Sequence, residues 1–478
     1  MFPLDHQSQS QPNAPALLFQ NKIWTFRQLS FAVNDLTAWI TSTFHHPIKI
    51  GYAAKTSDKY AIALYGGWKS GATVCPLPTN WNDEELLREI QKANFDLLLC
   101  DDFFVEFASL HTQLPVYRID DLKFDSAPRS ENAPENTQSS ALEIFTSGSG
   151  GAPKRVHLSW QALENHAKMS ETHLRYSSQD RWLVTLPLFH IGGVSTLIKS
   201  IVTGLSIHLE DGFDSNRVNN LLDTNSISIL SLVPTTLQRL LDSRNQTHLP
   251  SSIKFVLLGG APASTELLLR DSRYLASYGM SEAGSQITTV PPASDASIRV
   301  TSGLPLPGVK IEIRDAAGKR IADDSNGEIF VQSPALADGY SNDSTETENR
   351  FVDGWLRTGD YGGLTDVGAL IVEGRREDRI VSGGENIHPA EIEQVLLSYP
   401  EVRRVFVTSI PDREWGQLIS AVVESQQSLD ENDLSSFVRK HIAPYKVPKL
   451  WWITTEIPHL PNGKPDRKTI INHFISNS

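Results

Sequence analysis

Cysteine is scarce in this chain: Cys75 and Cys100 are the two among 478 residues. Two thiols are too few for a disulfide scaffold and lack any metal-ligand spacing, so both read as small apolar core residues. Long apolar runs are also missing, since none approaches the roughly 20 residues that a membrane-spanning helix needs. The first fifteen residues are polar and rich in Gln and Ser. They lack the basic segment followed by an apolar stretch that marks a secretory signal. These absences predict a cytoplasmic protein with no integral membrane association. Positive charge is in deficit too: 43 Lys and Arg stand against 56 Asp and Glu, for a net charge of −13. Such a surface repels nucleic acid and anionic membrane, so neither is an expected partner, while a local basic pocket for a small anion remains compatible with it.

What is present is the composition of a globular protein, 40% hydrophobic and 21% charged. A chain of this length exceeds one ordinary core, which predicts two or more domains. Short apolar runs at 48–53, 73–77, 95–100, 227–232 and 254–258 read as buried strands. Segments 57–68, 82–93 and 235–241, with apolar residues three and four apart, read as helices between them. That alternation predicts α/β layers with largely parallel sheets. A polar stretch at 125–140 reads as a surface loop or a seam between subdomains. From Gly303 the pattern turns β-rich, at 309–313, 327–332 and 369–373. After Asp378 comes a smaller α/β unit with helices at 389–398 and 430–441 and a strand at 402–410.

Five segments carry candidate chemistry. Thr146, Ser147, Gly148, Ser149, Gly150, Gly151, Ala152, Pro153 and Lys154 put three glycines, three hydroxyls and a lysine within nine residues. Amides and hydroxyls of such a loop can wrap phosphate oxygens, though it lacks the Walker ending and reads equally as a Gly/Ser surface loop. Ser277-Tyr278-Gly279-Met280-Ser281-Glu282 offers a ring to stack on a purine, a hydroxyl for phosphate and a carboxylate for Mg²⁺, or else a plain Tyr-Gly turn. In Leu356-Arg357-Thr358-Gly359-Asp360, the carboxylate can accept both hydroxyls of a ribose, or cap a turn. Gly374-Arg375-Arg376-Glu377-Asp378, leading to Ser382-Gly383-Gly384-Glu385-Asn386-Ile387, suits a mobile domain junction or a cap and turn. Lys464, on the loop Pro461-Asn462-Gly463-Lys464-Pro465, is in isolation an ordinary solvated charge.

Occurring together and in this order, the five segments make the chain resemble the acyl-adenylating superfamily of acyl-CoA synthetases, peptide-synthetase adenylation domains and luciferases. The resemblance spans nearly the whole sequence. It implies an α/β fold: a large N-terminal domain of two doubly wound α/β subdomains plus a β-barrel-like subdomain, residues 1–375, and a small mobile C-terminal α+β lid, residues 376–478. It implies ATP, Mg²⁺ and coenzyme A as cosubstrates and cofactors, a small carboxylic acid as substrate, and allows a homodimer. Carried over by position, Thr146, Ser147, Gly148, Ser149 and Lys154 would hold the ATP phosphates. Tyr278 would stack on adenine beside Gly260, Ala261 and Pro262. Ser281 would touch the α-phosphate, Glu282 the Mg²⁺, and Asp360 the ribose, with Arg375 nearby. Lys464 would bridge carboxylate and α-phosphate, Gly383 and Gly384 would line the thiol channel, and His190 would gate it.

Two positions depart from the family pattern: Gly150 replaces a hydroxyl residue, and Glu377 stands where the hinge is commonly aspartate. Segment 187–195 lacks the acidic residue that peptide-synthetase adenylation domains use there to pair a substrate amine, so the resemblance argues against an amino acid substrate. Segment 279–287 is most similar to the 2-succinylbenzoate–CoA ligases of menaquinone synthesis. By that likeness Gly279, Ser285 and Gln286, with Thr288 or Thr289, would line the acid pocket, with the second carboxylate near them. The rival expectations are another aryl- or acyl-CoA ligase, an enzyme that loads a carrier protein, and a non-catalytic binder of the same fold.

Overall fold

The structure, a computed structural model, describes residues 1–477 except 45–47, 123–139, 147–152, 225–226, 245–247, 323–324, 376–379, 383–384, 388, 413–414 and 460–464. The polar stretch at 125–140 therefore lies, apart from its last residue, outside the described residues. The helices form where the caps and apolar spacing demand. Asn82 accepts from the Glu85 amide, and Asp83, Glu84 and Glu85 fill the first turn of the helix Asp83–Ala93. They meet the positive end of the helix dipole, while Leu86, Ile90 and Ala93 turn inward and Asn94 stops the helix in a left-handed conformation. The strand that follows, Leu97–Cys100, is buried throughout and lies in a parallel ladder with Lys49–Ala53.

Two large sheets result. The first has seven strands in the order Gly339–Tyr340, Lys154–Ser159, Ser140–Thr146, Thr73–Pro76, Lys49–Ala53, Leu97–Cys100, Val116–Arg118. The second has nine: Leu304–Pro305, Ser285–Thr289, Tyr274–Met280, Phe255–Leu258, Ile229–Leu232, Arg181–Val184, Ser206–Leu209, Pro15–Phe19, Lys22–Thr25. The nine-stranded sheet is parallel at its centre and antiparallel at both margins, and the seven-stranded sheet is parallel from Ser140–Thr146 to its Val116–Arg118 edge and antiparallel at the other end, so the expected doubly wound pair is present. One continuous core takes residues from both sheets, Ile50 and Val74 from one and Leu17 and Trp182 from the other. Helices Phe26–Thr43, Asp58–Lys69, Trp160–Leu174 and Ile191–Thr203 contribute to it. Each fully buried Leu, Ile or Val contributes about 1.5–3 kcal/mol. Ile191–Thr203 is buried on nearly all sides and carries one charged residue, Lys199.

The β-rich segment expected after Gly303 is a five-stranded antiparallel sheet of Lys310–Arg314, Gly327–Gln332, Trp355–Leu364, Phe351–Val352 and Leu370–Arg375. Beyond it, Arg404–Asp412, Gly416–Glu424 and Leu450–Thr454 form a three-stranded sheet. Helices Pro389–Leu397 and Glu431–His441 share a small core with it. At the polar start of the chain Pro3–Ser10 is a helix, Phe2 and Leu4 are fully buried, and Asp5 meets Lys69 at 2.6 Å. Both cysteines are buried; burial holds the Cys75 thiol up and pushes Cys100 to about 12, which leaves them inert as nucleophiles.

Candidate functional site

The carboxyl end of the nine-stranded sheet gathers most of the expected residues. Strands Phe255–Leu258 and Tyr274–Met280 run parallel with Leu258 beside Ala276. Two residues further on, Gly260 (φ +80°) opens an exposed turn with Ala261 and Pro262, level with Tyr278. His190 follows Arg181–Val184, a parallel strand of the same sheet, and stands exposed as the N-cap residue of Ile191–Thr203, its ring 4.5 Å from that of Phe189. Ligands of open α/β sheets bind at this end of the strands.

Tyr278 is in a strand rather than a turn, and its hydroxyl donates to Asp360 Oδ2 at 2.6 Å. Asp360 caps nothing. It lies within the strand Trp355–Leu364, where Thr358 Oγ1 accepts from its amide and Gly359 takes φ +76°. Arg375, its partner across the ladder, brings Nε to 3.5 Å from Oδ1. Burial raises the Asp360 carboxyl, while the Tyr278 hydroxyl and Arg375 pull it back. Burial, then the charge of Asp360, holds the Tyr278 phenol well above its ordinary value, so it stays a donor. Each carboxylate oxygen has two lone pairs, which leaves capacity for ligand hydroxyls.

A second cluster gathers around Glu282 and Lys154. Glu282 is buried in the short 3-10 turn Ser281–Ala283, which Ser281 opens, and Oε1 accepts from the Tyr340 hydroxyl at 2.7 Å. Lys154 lies 5.3 Å over the Tyr340 ring and pairs with Glu346 at 2.6 Å, while Thr146 Oγ1 reaches the Lys154 carbonyl at 3.5 Å. Tyr340 and Glu346 were not singled out in the sequence; neither sits in a recognisable motif. No cluster of three metal-ligating side chains occurs among the described residues. Among the described residues Glu282 Oε2 has no hydrogen-bond partner, and one such carboxylate fits a Mg²⁺ ion that would take its other ligands from phosphate and water. Ser147, Gly148, Ser149, Gly150, Glu377, Gly383, Gly384 and Lys464 lie outside the described residues.

The expected acid pocket is a buried polar network. Gln286 accepts at Oε1 from Ser170 Oγ (2.8 Å) and from Lys199 Nζ (3.0 Å), and donates from Nε2 to Thr289 Oγ1 (2.9 Å). Its amide donates to His166 Nε2 at 2.9 Å. Thr289 Oγ1 lies 3.0 Å from Ser277 Oγ, which also donates to the Thr288 carbonyl. Thr288 itself is spent on the Ser302 carbonyl at 2.6 Å. Ser285 holds φ at +132°, where L residues are strained. Opposite it, a Cβ on Gly279 would stand 1.7 Å from the Ser285 carbonyl oxygen. No flexible side chain can yield there, so Gly279→Ala is expected to destabilise the protein by about 3 kcal/mol or more. A thermal melt of the variant checks this; an unchanged Tm contradicts it. Lys199, Ser170 and His166 were missed, because a lone polar residue on a helix carries no motif.

Comparison with known proteins agrees with this geometry. The AMP-binding enzyme family matches residues 4–341, and the AMP-binding enzyme C-terminal domain matches 391–464. A 2-succinylbenzoate–CoA ligase of Bacillus pumilus is 33% identical, over 97% of this chain and 96% of the relative. One from Listeria monocytogenes serotype 4b is 31% identical over 96% of each. The o-succinylbenzoate CoA synthetase of Bacillus subtilis, solved with its acyl-adenylate intermediate, superposes with a TM-score of 0.90 at 30% identity, covering 98% of this chain and 97% of that one. With the family matched over most of its length and full-length relatives above 30% identity, this chain is a member of the AMP-binding enzyme family.

Proposed function

We propose that the chain activates 2-succinylbenzoate with ATP to the acyl-adenylate and transfers the acyl group to coenzyme A, a step of menaquinone synthesis carried out in the cytoplasm. The observation that carries this reading is the full-length likeness to 2-succinylbenzoate–CoA ligases, at 33% identity over 97% of the chain. In the first half-reaction a carboxylate oxygen of the acid attacks the α-phosphorus, the bond to the bridging oxygen breaks, and pyrophosphate leaves. In the second, the thiol sulfur attacks the acyl carbonyl carbon and AMP leaves with the bonding pair.

Each residue then has a task. Tyr278 stacks on adenine beside Gly260, Ala261 and Pro262, and Asp360, oriented by Tyr278 and Arg375, accepts the ribose hydroxyls. Thr146, Ser147, Gly148, Ser149 and Lys154 hold the phosphates, with Glu346 giving up Lys154 as the nucleotide arrives. Ser281 bonds the α-phosphate. Glu282 would hold Mg²⁺, which would supply neutralisation of phosphate charge. Lys464 bridges the carboxylate and the α-phosphate. Gly279, Ser285, Gln286 and Thr288 shape the acid pocket, and His190 separates it from the thiol path along Gly383 and Gly384. Positioning and fixed charge supply most of the catalysis. Residues 1–375 form the adenylating body and 376–478 the lid, a division supported by the C-terminal family match at 391–464.

A single-turnover experiment tests the order. With ATP, Mg²⁺ and 2-succinylbenzoate but no CoA, one equivalent of pyrophosphate and enzyme-bound acyl-AMP are expected. Added CoA then yields the thioester and AMP. Acyl-AMP that CoA does not discharge would contradict the second half.

A further inference from the structure

Arg350 closes the helix Ser344–Arg350, one turn after Glu346. A glutamate and an arginine four residues apart on a helix are neighbours and ordinarily pair. Here the pair is not made. Arg350 Nη1 stands 3.9 Å from Glu346 Oε1, beyond hydrogen-bond reach, while Lys154 Nζ holds the same oxygen at 2.6 Å. Nor is the guanidinium satisfied elsewhere. Nη2 donates to the Thr358 carbonyl at 2.7 Å, and Nε is buried with no hydrogen-bond partner among the described residues. A guanidinium is always charged and carries five N–H donors. Arg350 is thus a cation with donors in reserve beside a carboxylate that another cation occupies.

Its place lies between the two halves of the site. Thr358, whose carbonyl it holds, is two residues before Asp360. Burial raises the Asp360 carboxyl and, with the charge of Glu282, the Tyr340 phenol, and Arg350 is among the charges that pull each of them back. Arg357, whose charge also meets that of Glu346, is committed to Glu328 in a fork of 2.7 and 2.8 Å. Lys154 can meet a nucleotide phosphate only by leaving Glu346. Both Glu346 and Arg350 are largely buried, with side chains 25% and 22% exposed. A carboxylate stripped of its cation in such surroundings draws the lysine back. Closing the gap to Arg350 by about 1 Å gives it a charge-assisted hydrogen bond instead.

We propose that Arg350 is a positioning residue for nucleotide binding: it takes over Glu346 when Lys154 turns to phosphate. Two cations and one carboxylate exchange partners, and no charge is left unpaired, since phosphate receives Lys154 and Glu346 receives Arg350. The proposal rests on the reading that Lys154 holds ATP phosphate and adds what frees it to do so.

The test is a double-mutant cycle read as the Kd for ATP with Mg²⁺, by titration calorimetry in the absence of any acid, so that the identity of the acid does not enter. Arg350→Met is expected to weaken ATP binding about tenfold, the scale of one hydrogen bond to a charged group. Glu346→Gln, which removes the competitor for Lys154, is expected to bind ATP at least as tightly as wild type. In the Glu346→Gln background the Arg350→Met change is expected to cost less than about twofold, because residues that act through each other are not additive. An equal penalty in both backgrounds, which a role through Thr358 alone or a diffuse charge would give, overturns the exchange. Weakened ATP binding by Glu346→Gln overturns it too, and that result is readable whether or not Arg350→Met folds. Lys154→Met separates the two levels: wild-type affinity in that variant overturns the phosphate reading along with the exchange, and lost affinity keeps the phosphate reading when the cycle fails.

Discussion

Lys464→Ala is expected to slow pyrophosphate release by about 10²–10³-fold, the cost of removing one group aimed at developing charge. Thioester formation from preformed acyl-AMP and CoA should stay close to the wild-type rate. The asymmetry follows from the chemistry of the two halves. In adenylation, negative charge gathers on the equatorial oxygens of the α-phosphate while a carboxylate approaches, and two anions must be brought together. A lysine between them stabilises that encounter and the transition state beyond it. In thiolysis the acyl carbon is already part of a mixed anhydride, the carboxylate charge is gone, and the thiol attacks the carbonyl carbon rather than the phosphorus. Under the proposed two-step reaction, a lid rotation that withdraws Lys464 and brings the Gly383-Gly384 segment forward would serve both steps with one site. Rapid-quench measurement of each half-reaction separately decides it. Equal loss in both halves would remove the assigned role.

Asp360→Ala is expected to lower kcat/KM for ATP by about 100-fold or more, with KM for the acid little changed. A hydrogen bond to a charged group contributes about 1.5–3 kcal/mol, and two ribose hydroxyls are lost with the carboxylate; each 1.4 kcal/mol is about tenfold. The same substitution strips the Tyr278 hydroxyl of its acceptor and Arg375 of its counter-charge. The fold should lose about 1–3 kcal/mol for that orphaned donor. Asp360→Asn, which keeps an acceptor for Tyr278, should recover much of the stability and less of the ATP affinity. Kinetics with ATP varied, alongside thermal melts, separate the two effects. An Asp360→Ala enzyme with wild-type kcat/KM for ATP would detach the carboxylate from nucleotide binding.

The fold class was readable because strand runs such as 97–100 and capped amphipathic helices such as 83–93 carry their own local signals, and the structure keeps both. The motif residues were readable as a set, since each alone had an ordinary alternative. Tyr278 and Asp360, 82 positions apart, are brought to 2.6 Å only by the packing of a parallel sheet against an antiparallel one. What stayed hidden has no local pattern. Lys199 looks in sequence like a solvated charge on a helix, and only the burial of that helix between two sheets makes it a cation in the core. Tyr340 and Glu346 act on Glu282 and Lys154 from a short strand and a one-turn-distant helix whose approach no spacing rule predicts. The polar N-terminal segment hid a helix because its burial rests on Phe2, Leu4 and the Asp5–Lys69 pair rather than on a periodic apolar face.

The most direct test of the whole account is steady-state pyrophosphate release with ATP and Mg²⁺ across a panel of carboxylic acids, with and without CoA. 2-Succinylbenzoate is expected to give the highest kcat/KM, and sustained turnover is expected to require CoA. Sustained turnover of another acid, with 2-succinylbenzoate inert, or no release with any acid, would contradict it.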